Sequence, residues 1–97
     1  MKQKKYAISI CTPTFNSEKY LEKTIKSVIS QGYGNIQLII IDGGSTDGTI
    51  KIIKKYKKYI NYWVSEKDKG IYDAWNKGLK VAKGEIFGIL SSDDFYY

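Results

Sequence analysis

A chain of 97 residues with 42% hydrophobic content has room for one small core, so a single globular unit is expected and disorder is excluded. The net charge of +6 is carried by lysine alone; with no arginine and no histidine, bidentate arginine clamps and histidine acid–base or metal chemistry are excluded, and any metal would be held by carboxylates, which suit magnesium or manganese. The single cysteine, Cys11, rules out an internal disulfide and reads as a buried strand residue.

Ala7–Thr12 is a compact apolar, β-rich run that stops at Pro13, after which Asn16 and Ser17 offer helix-capping side chains. Lys19–Ser30 carries Leu21, Ile25, Val28 and Ile29 at helical spacing, and Gln31–Asn35 breaks the pattern. Gln37–Ile41 reads as a parallel strand covered on both faces. The Asp42–Gly48 loop follows, then a helix over Thr49–Tyr59 with Ile50, Ile53 and Tyr56 inward, and a short strand over Tyr62–Ser65. Glu66–Gly70 is a charged loop. Ile71–Lys83 predicts a third helix with Ile71, Trp75, Leu79 and Ala82 on its inner stripe and Gly84 as its C-cap. Ile86–Leu90 is a fourth strand, closed by Ser91-Ser92-Asp93-Asp94. The order β-α-β-α-β-α-β with right-handed crossovers predicts an α/β fold: a Rossmann-like parallel sheet with helices on both faces. No signal peptide is expected, and no apolar run approaches the roughly 20 residues of a membrane span.

Six of the ten carboxylates follow strand ends: Asp42 and Asp47, Glu66 and Asp68, Asp93 and Asp94. Ligands of open α/β sheets bind at that edge. Two adjacent carboxylates about 4 Å apart repel by on the order of 4 kcal/mol at an effective dielectric near 20, so the Asp93-Asp94 pair calls for a proton or a cation; a solvated acidic turn is the plainer alternative. The glycines after Asp42 allow close backbone approach to a ligand, while Ser45, Thr46 and Asp47 are explained equally well as caps of the next helix. The lysines crowd the helices, where solvated faces are the simplest reading.

Together these segments resemble glycosyltransferase family 2, of the GT-A fold. The matching stretches are Ile8–Asn16, Ser27–Gln31, Ile41–Thr49, Ser65–Gly78, Ala82–Ile86 and Leu90–Asp94, in order and with family spacing. The resemblance implies an inverting transfer of a sugar from a nucleotide-diphosphate donor, most often a UDP-sugar, to a saccharide or lipid-linked acceptor in polysaccharide or glycoconjugate biosynthesis. It implies that Pro13, Thr14, Phe15 and Asn16 line the nucleotide pocket, that Asp42 lies at the base and ribose end of the donor, that Gly44 also binds the nucleotide sugar, and that Asp68 and Lys69 belong to a loop over the donor. Asp94 and Asp93 would bind Mn2+ or Mg2+, with Asp93 also touching the donor. Many relatives carry a second aspartate where this chain has Gly43, and Ser91 stands where an acidic residue is commoner. The family's general base lies well downstream, so residues 1–97 are expected to be an N-terminal donor-binding part without the acceptor half, inactive alone, with an open sheet edge prone to self-association. A cytoplasmic location, with peripheral association at the inner membrane face, is the expected setting, and no nucleic acid is expected. The competing reading is a non-catalytic α/β module whose basic helices touch nucleic acid or anionic membrane. Receiver-like and haloacid-dehalogenase-like readings fit poorly: the first strand ends in Thr12-Pro13-Thr14, and Asp42 is followed two residues on by Gly44.

Overall fold

The computed structural model describes residues 6–31, 35–67 and 70–90. Four strands, β1 (Tyr6–Thr14), β2 (Ile36–Asp42), β3 (Tyr62–Ser65) and β4 (Gly84–Ile89), alternate with helices α1 (Leu21–Ser30), α2 (Thr49–Lys55) and α3 (Ile71–Val81). All strand pairs are parallel, in the order β3-β2-β1-β4. The chain winds outward from β1 to β3, then returns to place β4 on the other side of β1. The switch point of the sheet therefore falls between β1 and β4, where open α/β sheets form a crevice at the strands' carboxyl ends.

β2 is buried along almost its whole length because both its faces are covered, which is why it reads as an unbroken aliphatic run. Leu38 and Ile40 join Leu21, Ile25 and Val28 of α1 and Ile53 of α2 in one core layer. Ile39 and Ile41 join Cys11 and Ala74 of α3 in the other. Each fully buried isoleucine contributes about 1.5–3 kcal/mol relative to its exposed state, so these two layers dominate the stability of the sheet.

Four expectations are corrected. β1 does not stop at Pro13 but runs through it to Thr14. The neighbouring Cys11 carbonyl faces β4, where it accepts from the Leu90 N–H, and Thr14 O faces β2, where it accepts from Gly43 N. Pro13 therefore turns its missing N–H toward β4, past that strand's last residue, and no ladder bond is lost. The inner stripe of α3 is rotated: Ala74 and Gly78 are buried, Trp75 is half-buried and Leu79 is 52% exposed. A Cβ on Gly78 would lie 2.5 Å from Cys11 Sγ, so the helix sits too close to β1 for a large residue there. Gly84 does not cap α3; it begins β4, where an added Cβ would fall 2.6 Å from the backbone of Ile8 and Ser9. The predicted second helix is also shorter, ending at Lys55 before a 3₁₀ turn over Lys57–Tyr59.

Candidate functional site

Three strands end in polar residues that stand side by side. Thr14 is the register partner of Asp42 on one side, and Ser65 is its partner on the other. Side chains at equivalent register positions of parallel strands point to the same face, so the row Thr14–Asp42–Ser65 is set by the sheet itself. Thr14 Oγ1 donates to Asp42 Oδ1 (2.6 Å), and Ser65 Oγ donates to Asp42 Oδ2 (2.8 Å). The following loop turns back on the same carboxylate: Ser45 Oγ reaches Oδ1 at 2.6 Å, while the N–H groups of Gly44 and Ser45 reach Oδ2 at 3.1 and 2.8 Å. Gly44 permits that turn at φ 89°, a conformation that favours glycine.

Asp42 is completely buried. Burial pushes its carboxyl up, but the hydrogen bonds from Ser45, Thr14 and Ser65 more than offset this and hold it below the ordinary carboxylate range. It is thus an ionised hub whose oxygens are occupied from within the protein.

Asn16 has a comparable role one loop away. It adopts φ 48°, a left-handed conformation that asparagine tolerates better than most residues. Its Oδ1 accepts from Thr46 N (2.8 Å) and Asp47 N (3.3 Å), and its own N–H donates to Ser45 Oγ (2.8 Å). Ser17 N donates to the buried Thr49 Oγ1 at 2.7 Å. Asn16 and Ser17 were expected to cap the helix that follows them. They instead bind the loop between β2 and α2 and the first residue of α2, and α1 begins at Leu21 with Tyr20 as an N-cap that makes no side-chain bond. Asp47 holds the start of α2 through Thr49 N (2.9 Å), and its carboxyl, although raised by burial, is drawn below its usual value by Thr49 and Glu18.

The structure brings Pro13, Thr14, Phe15, Asn16, Asp42 and Gly44 to one rim. Phe15 is 63% exposed there, on the loop that leaves β1 beside the switch point. Asp68, Lys69, Asp93 and Asp94 lie outside the described residues. Of the six carboxylates that follow strand ends, the three described ones are already engaged: Asp42 as above, Asp47 at α2, and Glu66 with Lys77 at 3.2 Å. Among the described residues no group of three acidic or cysteine side chains could hold a metal ion. Thr14, Ser45 and Ser65 were the residues whose part at Asp42 the sequence reading missed. The available signal was a hydroxyl-bearing residue at the end of β1 and of β3, flanking the strand that ends in aspartate.

Comparison with known proteins gives the family and the fold. The model of glycosyl transferase family 2 matches residues 9–97, and the chain belongs to that family. It is 40% identical over 92 residues to the dolichyl N-acetyl-alpha-D-glucosaminyl phosphate 3-beta-D-2,3-diacetamido-2,3-dideoxy-beta-D-glucuronosyltransferase of Methanococcus voltae, covering 88% of this chain and 28% of that protein. TarS 1-349 of S. aureus, solved in complex with UDP-GlcNAc, superposes with a TM-score of 0.79 at 31% identity, covering 89% of this chain and 26% of that one. The mannosyltransferase PcManGT of Pyrobaculum calidifontis, solved with GDP-Man and Mn2+, gives 0.82 at 25% identity, covering 92% and 28%. The architecture is that of part of a GT-A glycosyltransferase fold. The chain spans about a third of the length of the curated relatives it matches.

Proposed function

We propose that this chain is the donor-binding part of an inverting glycosyltransferase that moves a sugar from a nucleotide-diphosphate donor to an acceptor hydroxyl in polysaccharide or glycoconjugate synthesis. The observation that carries the reading is the knotted rim: the loop bearing Phe15 and the loop after Asp42 are tied into one body beside the β1–β4 switch point, in a chain of this family. A preorganised rim of this kind lowers the ordering cost of binding a nucleotide.

In this reading Phe15 offers its exposed ring to the base or ribose, and Pro13 and Asn16 shape the pocket wall. Asp42 acts through the loop it orders, together with Gly44. Asp68 and Lys69 cover the donor. UDP is the expected carrier, in keeping with the UDP-GlcNAc held by TarS. Asp94, with Asp93, holds a divalent ion, Mn2+ or Mg2+, as the manganese in the mannosyltransferase complex suggests; when bound, it supplies positive charge to the departing diphosphate. The general base that deprotonates the acceptor lies outside residues 1–97, and these residues alone transfer little or no sugar. The acceptor is a saccharide or a lipid-linked sugar, the second by analogy with the Methanococcus voltae relative. In this reading the enzyme works in the cytoplasm, with peripheral association at the inner face of the membrane.

Calorimetric titration of UDP into the full-length protein, with and without manganese, tests the reading. Metal-dependent binding that is lost in Asp94→Ala and weakened by Phe15→Ala is the expected result. Binding indifferent to metal and to both substitutions contradicts it.

A further inference from the structure

The two faces of the sheet carry very different charge. Under α1 and α2, residues 19–31 and 49–59 hold eight lysines and one carboxylate, Glu22. All eight lysines are exposed. Glu22 is already shared by Lys55 (2.9 Å), Lys26 (3.9 Å) and the Tyr56 hydroxyl, so most of the positive charge of this layer has no acidic neighbour on its own helices. The α3 face is balanced by contrast. Lys77 lies against Glu66 (3.2 Å) and Asp73 (3.6 Å), and Glu85 adds a further carboxylate on the Phe87 side of β4, under α3.

The basic layer also has apolar points at one end. Ile29, in the last turn of α1, is 36% exposed, and Tyr59, in the turn after α2, is 48% exposed. Both helices start at the rim and run back to the start of the next strand, so these two residues sit at the end of the sheet opposite Phe15 and Asp42. A layer so placed can lie against a surface while the rim stays open to solvent.

We infer that the α1–α2 layer is a docking face for an anionic lipid bilayer, with its lysines at the headgroups and Ile29 and Tyr59 at the interface. The residue types favour lipid over nucleic acid. Lysine is a hydrated point charge suited to a diffuse negative surface, whereas the planar arginine fork favoured for bidentate base and phosphate recognition is absent from this chain. Tyrosine is at home at the level of the headgroups. The inference deepens the placement at the inner membrane face proposed above, and its failure leaves donor binding untouched.

Flotation of the full-length protein with vesicles of phosphatidylcholine, alone or mixed with phosphatidylglycerol, tests it. Binding should require the anionic lipid and be reversed by salt. The triple variant Lys51→Glu/Lys54→Glu/Lys58→Glu should lower partitioning by about a hundredfold, at roughly fivefold per lysine near the surface. Lys80→Glu/Lys83→Glu on the other face should change it by less than about threefold. UDP titration of the triple variant should match the parent, which shows that the variant is folded and separates this test from that of the donor site. Equal binding to neutral vesicles, equal losses from the two faces, or preference for duplex DNA over anionic vesicles would each overturn the inference.

Discussion

Two polar knots join the same two strands, five positions apart, and they differ in charge. Near the middle of the sheet Ser9 Oγ donates to Gln37 Oε1 (2.7 Å), and the pair accepts the N–H groups of Lys83 and Gly84 while Gln37 Nε2 donates to Val81 O. At the carboxyl edge Thr14 donates to Asp42 in the same register relation. The neutral knot fastens the connection from α3 to β4. The charged one fastens the loops of the rim. A buried amide needs only as many partners as its dipoles, whereas a buried carboxylate must be surrounded by donors to remain ionised. Evidence of that demand is the convergence of Thr14, Gly44, Ser45 and Ser65 on Asp42, and it is why the rim is held as one piece.

Asp42→Asn offers the strongest way to break the contrast. The amide cannot accept on both sides, two of its hydrogens face donors, and about 3 kcal/mol of stability should be lost in urea denaturation of the full-length protein. The same substitution sharpens the comparison in pH. The folded Asp42 carboxyl lies below its unfolded value, so its contribution is complete above the ordinary carboxylate range and is lost as pH falls through the folded value. Acid unfolding of Asp42→Asn should be correspondingly flatter than that of the parent, and an unchanged acid limb would show that Asp42 is not the ionised hub.

Gly78→Ala should cost about 2 kcal/mol, because the new methyl meets Cys11 Sγ at 2.5 Å; adding Cys11→Ala should return part of that loss in a double-mutant cycle. Thr14→Val removes one bond to a charged acceptor and should cost about 1.5–2 kcal/mol, with weaker nucleotide binding as the rim loosens. Ser9→Ala, in the neutral knot, should cost about 1 kcal/mol and leave both nucleotide affinity and acid stability as they were. The smallest expected effect is on association. Ile86 is 61% exposed on β4, one of the two edge strands among the described residues, and Ile86→Lys should raise the monomer fraction in sedimentation at high concentration.

Much of this was legible in the residues. The apolar runs marked four strands, and Tyr62–Ser65 was placed without error. Asp42 stood out because a carboxylate ending a buried strand demands a partner. What those partners are was not legible, since Thr14 and Ser65 reach Asp42 only through strand register, a relation between segments 28 and 23 residues away. The inner stripe of α3 was misjudged for a related reason. Hydrophobicity ranked Trp75 and Leu79 as core, but the distance from α3 to β1 admits only small residues, and that distance belongs to the packed molecule.

Local pattern thus decided the kind and order of the elements, because burial on one or both faces imposes a period on each segment taken alone. The tertiary structure decided the strand order, the position of the switch point, the hydroxyl shell of Asp42 and the grouping of lysines on one face. Each of these depends on which segments lie side by side, and hydrogen bonds and charges act across space regardless of their separation along the chain.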